Sequence, residues 1–137
     1  MRILCIEDDP ARIIWLTRAL PNSSIVWALT PAQVAYYVDA GPWDVICVDH
    51  DLGMDDTARV DDGSLSLPWN GASAARAFGG SIVASTRAVW VWSNNPVGSQ
   101  NIAHHLARHK AELECDTHIH CEPFRRALPQ AVDRFRI

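Results

Sequence analysis

Short, nearly unbroken apolar runs return five times along the chain, at residues 2–6, 24–28, 43–48, 88–92 and 117–121, with helical patterns between them. Runs of this length suit strands, and the stretch that follows Asp44 has the continuous apolar character of a strand buried on both faces. Regular alternation of strand and helix predicts an α/β fold, a five-stranded parallel sheet with helices on both faces. Helix starts are marked locally. Asp9 can cap a helix with Pro10 in its first turn, where proline has no amide hydrogen to lose. Thr30 and Gln33 have the spacing of a capping box. Asn70-Gly71 opens an alanine-rich helix that Gly79-Gly80 is expected to stop, and Asn95-Pro96-Val97-Gly98 turns into a helix with Ile102, Ala103, Leu106 and Ala107 on one face. A last helix is expected over about 127–135. Residues 53–70, with Asp55, Asp56, Asp61 and Asp62, read as an irregular acidic loop insertion, a lid or a disordered segment.

A chain of 137 residues fits one domain, 1–137. Hydrophobic residues at 48% and charged ones at 20% are a globular balance. No apolar run approaches the roughly 20 residues that span a bilayer, and the start carries no signal-peptide pattern, so the cytoplasm is expected. The net charge is −4, from 12 basic and 16 acidic residues, which argues against an extended nucleic-acid surface. A nucleotide, a short RNA end or a protein partner stays compatible with it. The four cysteines form no C-x-x-C pair, and Cys5 and Cys47 fall inside apolar runs as small buried hydrophobes.

Polar residues gather where the expected strands end: Glu7-Asp8-Asp9, Asp49-His50-Asp51, Ser93-Asn94-Asn95 and Glu122. In parallel sheets of this kind ligands sit outside those carboxyl ends. Asp8, Asp9 and Asp49 would repel one another, and a hard divalent cation, Mg²⁺ or Mn²⁺, relieves that repulsion through oxygen ligands. The alternative is that Asp9 is only a helix cap and Asp8 a solvated strand end. Side-chain alternation makes Glu7 the weaker candidate, opposite Asp8. His50, between Asp49 and Asp51, has the chemistry of an acid or base at neutral pH, or is a strand-end histidine bonded to its neighbours. Ser93 and Asn95 precede a helix start, which suits a phosphate or a simple turn. His105 and His109, four apart, and His118 and His120, on one side of the fifth run, are weaker metal candidates.

With these residues in place, the chain resembles a response-regulator receiver domain, of flavodoxin-like fold, over nearly its whole length. Asp8 and Asp9 match the paired acids of receivers, Asp49 the phosphoacceptor and Ser93 the hydroxyl residue of the fourth strand. Glu122-Pro123 stands where receivers carry Lys-Pro, a charge reversal that speaks against ordinary aspartyl-phosphate signalling. More narrowly, Asp49-His50-Asp51-Leu52-Gly53 and Ser93-Asn94-Asn95-Pro96-Val97-Gly98 are similar to motifs of the cyclic-phosphate-processing receiver family, divergent domains of bacterial and phage nucleic-acid repair or conflict systems. Trp92 occupies the place where that family commonly has histidine. The resemblance implies a Mg²⁺-dependent phosphoesterase acting on cyclic phosphates of nucleotides or RNA ends. Asp8, Asp9 and Asp49 would hold the metal, with His50 as acid or base, Asp51 beside it, and Ser93 with Asn95 orienting the phosphate. A pseudo-receiver that binds a partner and a phosphoacceptor receiver are the rival implications.

Overall fold

The computed structural model describes residues 1–121. Five strands form one parallel sheet in the order β2-β1-β3-β6-β7: β1 (Arg2–Ile6), β2 (Ser24–Ala28), β3 (Val45–Val48), β6 (Ala88–Val91) and β7 (His118–Cys121). A separate antiparallel ribbon joins β4 (Thr57–Val60) to β5 (Leu65–Pro68). The described helices are α1 (Pro10–Ala19), α2 (Pro31–Asp39), α3 (Gly71–Ser85) and α4 (Pro96–Leu113). The expected last helix lies outside the described residues.

The pleat of the central strands divides the core. Leu4, Ile6, Ile46, Val48, Val89 and Val91 face α2, α3 and α4, meeting Val34, Val38, Ile82, Ile102 and Leu106. Ile3, Cys5, Val45, Cys47, Trp90 and Trp92 pack on the other face with Leu16 of α1. Alternate residues thus serve opposite layers, and both sets are buried, which explains why these runs read as continuously apolar. Among the described residues, no helix is long and apolar enough to cross a membrane.

Contrary to expectation, the stretch 53–70 is not irregular throughout. Its ribbon buries Ala58 and Val60, and Trp69 donates its indole N–H to the Leu29 carbonyl at 2.8 Å. Arg76 of α3 ties down Asp61 at the ribbon's turn. The buried side chains alternate along β4, so the apolar area needed to order the segment was present but short. The amides of 57–60 and 65–67 that bond across the ribbon are expected to exchange slowly in the ligand-free chain. Exchange as fast as in a free peptide would restore a mobile lid.

Gly79-Gly80 does not end α3 as expected; the helix continues to Ser85. At Gly79 a Cβ would collide with the His109 ring, whose Nε2 lies 3.2 Å from the Arg76 carbonyl. The glycine serves close approach of α3 and α4, and this packing outweighs the roughly 1 kcal/mol helix cost of glycine. His109 therefore belongs to a helix contact and not to a solvated face.

Candidate functional site

β1 has neighbours on both sides, β2 and β3, so the order of strands reverses there and leaves a crevice beyond their carboxyl ends. A hollow of about 440 Å³ lies in that place, lined by Glu7, Asp8, Asp9, Arg12, Asp49 and Asp51 with Pro10 and Asn94. A hollow of about 490 Å³ at the opposite end, around Trp43, Thr86 and Thr117, contains none of these residues.

Three carboxylates converge on the crevice: one oxygen each of Glu7, Asp8 and Asp49 lie within 4.8 Å of one another. Two of them, Asp8 and Asp49, belong to the expected set; the third is Glu7, not Asp9. β1 ends at Ile6, so the strand's alternation no longer governs residue 7. The Glu7 carboxyl curls back, accepting the amides of Asp8 (3.2 Å) and Asp9 (3.1 Å), and is fully buried. Asp9 lines the hollow but spends Oδ1 on the Ala11 amide at 2.9 Å as the cap of α1. Oxygen donors of this number and charge fit a small hard divalent cation.

Burial sets the electrostatics. It raises Glu7 to about 8, helped by the nearby Asp49 charge and opposed by Arg12. Asp49 is also pushed up by burial, against the pull of Arg12 and of hydrogen bonds with Glu7, the His50 backbone and Ser93. At neutral pH the two carboxyls therefore resist ionising together and share a proton. Arg12, which the sequence reading did not single out, closes the group. Its Nη1 is 3.2 Å from Asp49 Oδ1, 3.3 Å from Glu7 Oε2 and 3.4 Å from the Trp92 carbonyl.

His50 takes another direction. β3 ends at Val48, the chain turns, and the His50 ring lies against the first turn of α4. A Cβ on Gly98 would strike that ring, so glycine makes the approach possible. His50 Nδ1 is 2.9 Å from Asp51 Oδ1 and 3.3 Å from Asn95 Nδ2. Because a carboxylate only accepts, the shorter contact puts the proton on Nδ1 and leaves Nε2 as the basic nitrogen. Asp51 is largely exposed, whereas Ser93 is buried. Asn95 caps α4 through the Gly98 amide at 2.9 Å and donates its own amide to Ser93 Oγ at 3.1 Å. The site thus has an acidic half around Asp49 and a His50–Asp51–Asn95 half on α4, joined by adjacent residues of one turn. Gly98→Val is expected to displace His50 and destabilise the fold by about 2 kcal/mol through overpacking. Unchanged melting and an unshifted His50 resonance would contradict that packing.

The weaker histidine candidates stay apart from this site. His118 and His120 stack at 6.2 Å on β7, and Glu7, Asp8 and Asp49 are the metal-type cluster found among the described residues. Glu122 and Pro123 lie outside the described residues.

No family model and no curated protein matches the sequence. Solved structures do match in fold. One is HP1043, an orphan response regulator of H. pylori, 20% identical, with a TM-score of 0.56 over 98% of this chain and 92% of that one. Another is a response regulator protein from Burkholderia pseudomallei with a phosphorylated aspartic acid, a calcium ion and citrate, 14% identical, with a TM-score of 0.56 over 97% of this chain and 69% of that one. With the parallel order β2-β1-β3-β6-β7 and the acidic crevice beside β1 and β3, these likenesses establish that the chain has the flavodoxin-like fold of response-regulator receiver domains.

Proposed function

We propose that the chain works as a divergent receiver module whose acidic crevice takes up Mg²⁺ or Mn²⁺ and transmits that occupancy to a protein partner, without storing a phosphoryl group on Asp49. The observation that carries this reading is the convergence of Glu7, Asp8 and Asp49 oxygens within 4.8 Å in a receiver fold. The cation would supply charge neutralisation and a contact for phosphate oxygens. The Burkholderia neighbour, a response regulator seen with a calcium ion and a phosphorylated aspartic acid, supports cation uptake by a fold of this kind. Phosphoryl storage is disfavoured by the state of Asp49, which is buried and paired with Arg12. A nucleophilic oxygen so occupied attacks poorly.

A second reading, a phosphoesterase opening cyclic phosphates on nucleotides or RNA ends, is favoured by one observation: the His50–Asp51 contact that leaves Nε2 basic. His50 does not line the acidic hollow, so this reading requires substrate to reach the α4 side of the turn. Incubation with acetyl phosphate and Mg²⁺, followed by intact-mass measurement, is expected to show no stable adduct on Asp49. Accumulation of a phosphoryl group abolished by Asp49→Asn would overturn the module reading in favour of a phosphoacceptor. Turnover of 2′,3′-cyclic nucleotides that is lost in His50→Ala, with metal binding kept, would establish the phosphoesterase instead.

A further inference from the structure

Arg12 stands in the first turn of α1, where the helix dipole favours acids over bases. Its position is therefore maintained by what the side chain meets. That side chain is only 14% exposed, and one nitrogen, Nη1, faces three oxygens: Asp49 Oδ1, Glu7 Oε2 and the Trp92 carbonyl, at 3.2, 3.3 and 3.4 Å. These come from the ends of three neighbouring strands of the sheet, β1, β3 and β6. Arginine usually meets a carboxylate with two parallel N–H groups at about 2.7–2.9 Å. Here Nη1 sits among three oxygens at 3.2–3.4 Å, longer than that usual range.

Two of those oxygens belong to the carboxylates that converge with Asp8. Asp49 Oδ1 already faces the Arg12 guanidinium at 3.2 Å. A divalent ion on the same carboxylate would meet that positive charge at close range, and the two repel. The Arg12 contact is therefore the one an incoming ion displaces.

We propose that Arg12 is the crevice's resident cation, holding the place of a divalent ion on Asp49 and withdrawing when that ion binds. It is then the residue that sets the affinity of the pocket, and its withdrawal couples occupancy to the start of α1. The inference rests on the cation reading above. Guanidinium keeps its charge at every working pH, so the competition is one of position and charge.

The test uses Mn²⁺ and the full chain, counting free Mn²⁺ by its spin-resonance signal. Arg12→Gln removes the competing charge and is expected to bind Mn²⁺ about tenfold more tightly or better. Arg12→Lys, a shorter-reaching point charge, is expected to fall between it and the parent. Near-ultraviolet circular dichroism checks that each variant is folded; if Arg12→Gln is not, the Arg12→Lys comparison decides. Equal or weaker binding in the folded variant overturns the proposal while leaving the cation pocket standing. Absence of Mn²⁺ binding in every form overturns both. Tighter binding in the variants, or binding that appears only once Arg12 is replaced, supports it.

Discussion

Millimolar Mg²⁺ or Mn²⁺ is expected to raise the melting temperature of the chain by about 10 °C, and Asp49→Asn to remove most of that gain. A ligand that binds only the folded state stabilises it by mass action, by about 2.7 kcal/mol at a hundredfold excess over its dissociation constant. For a domain of this size each kcal/mol corresponds to about 4 °C. The unfolded chain scatters Glu7, Asp8 and Asp49 and offers no comparable site, whereas the folded one gathers their oxygens within 4.8 Å. Asp49→Asn acts twice. It deletes a charged ligand, and it removes the cost of burying an ionised Asp49, so the metal-free variant is expected to melt higher than the metal-free parent. Identical melts in Mg²⁺, Mn²⁺ and a chelator would remove the cation from the proposed function. An equal gain in parent and Asp49→Asn would place the ion elsewhere.

The layered fold was legible because its strands are central and buried on both faces, so their apolar runs are continuous and their order follows from the alternation with helices. The place of the site was legible for the same reason: the polar residues stand where those runs stop. Which carboxylates meet was not. The alternation of β1 stops with the strand at Ile6, so Glu7 is free to turn to the acidic side, against what period two implies. A capping aspartate directly before Pro10 was the available sign that Asp9 is engaged with the helix. The β4–β5 ribbon was missed because each strand is four residues long, too short for alternation to stand out from an acidic, glycine-bearing segment. Arg12 left one faint signal, a basic residue in a first helical turn, but its partners come from residues 7, 49 and 92 and only the fold unites them.

Glu7 makes the stability of the whole domain depend on pH. In the folded chain burial and the Asp49 charge move its carboxyl from 4.5 to about 8. Between those values the folded state keeps a proton that the unfolded state has released. The stabilisation is complete below about 4.5 and is lost as pH rises toward 8, by up to about 1.4 kcal/mol per pH unit. Asp49, also raised, acts in the same direction. His105 acts in the opposite one: burial and its neighbour His104 lower it from 6.5, so its effect favours the folded state as pH rises through that range. The cleanest window is therefore pH 6.5 to 8.5. Glu7→Gln cannot ionise and keeps the size and polarity of the protonated acid. Urea unfolding of the metal-free parent is expected to show stability falling across this window by about 2 kcal/mol, with the variant nearly flat and the more stable of the two at pH 8.5. Mg²⁺ is expected to flatten the parent as well, since an ion on Glu7 and Asp49 replaces the shared proton. Parallel slopes in parent and variant would show that Glu7 ionises freely and that the buried pair does not share its proton.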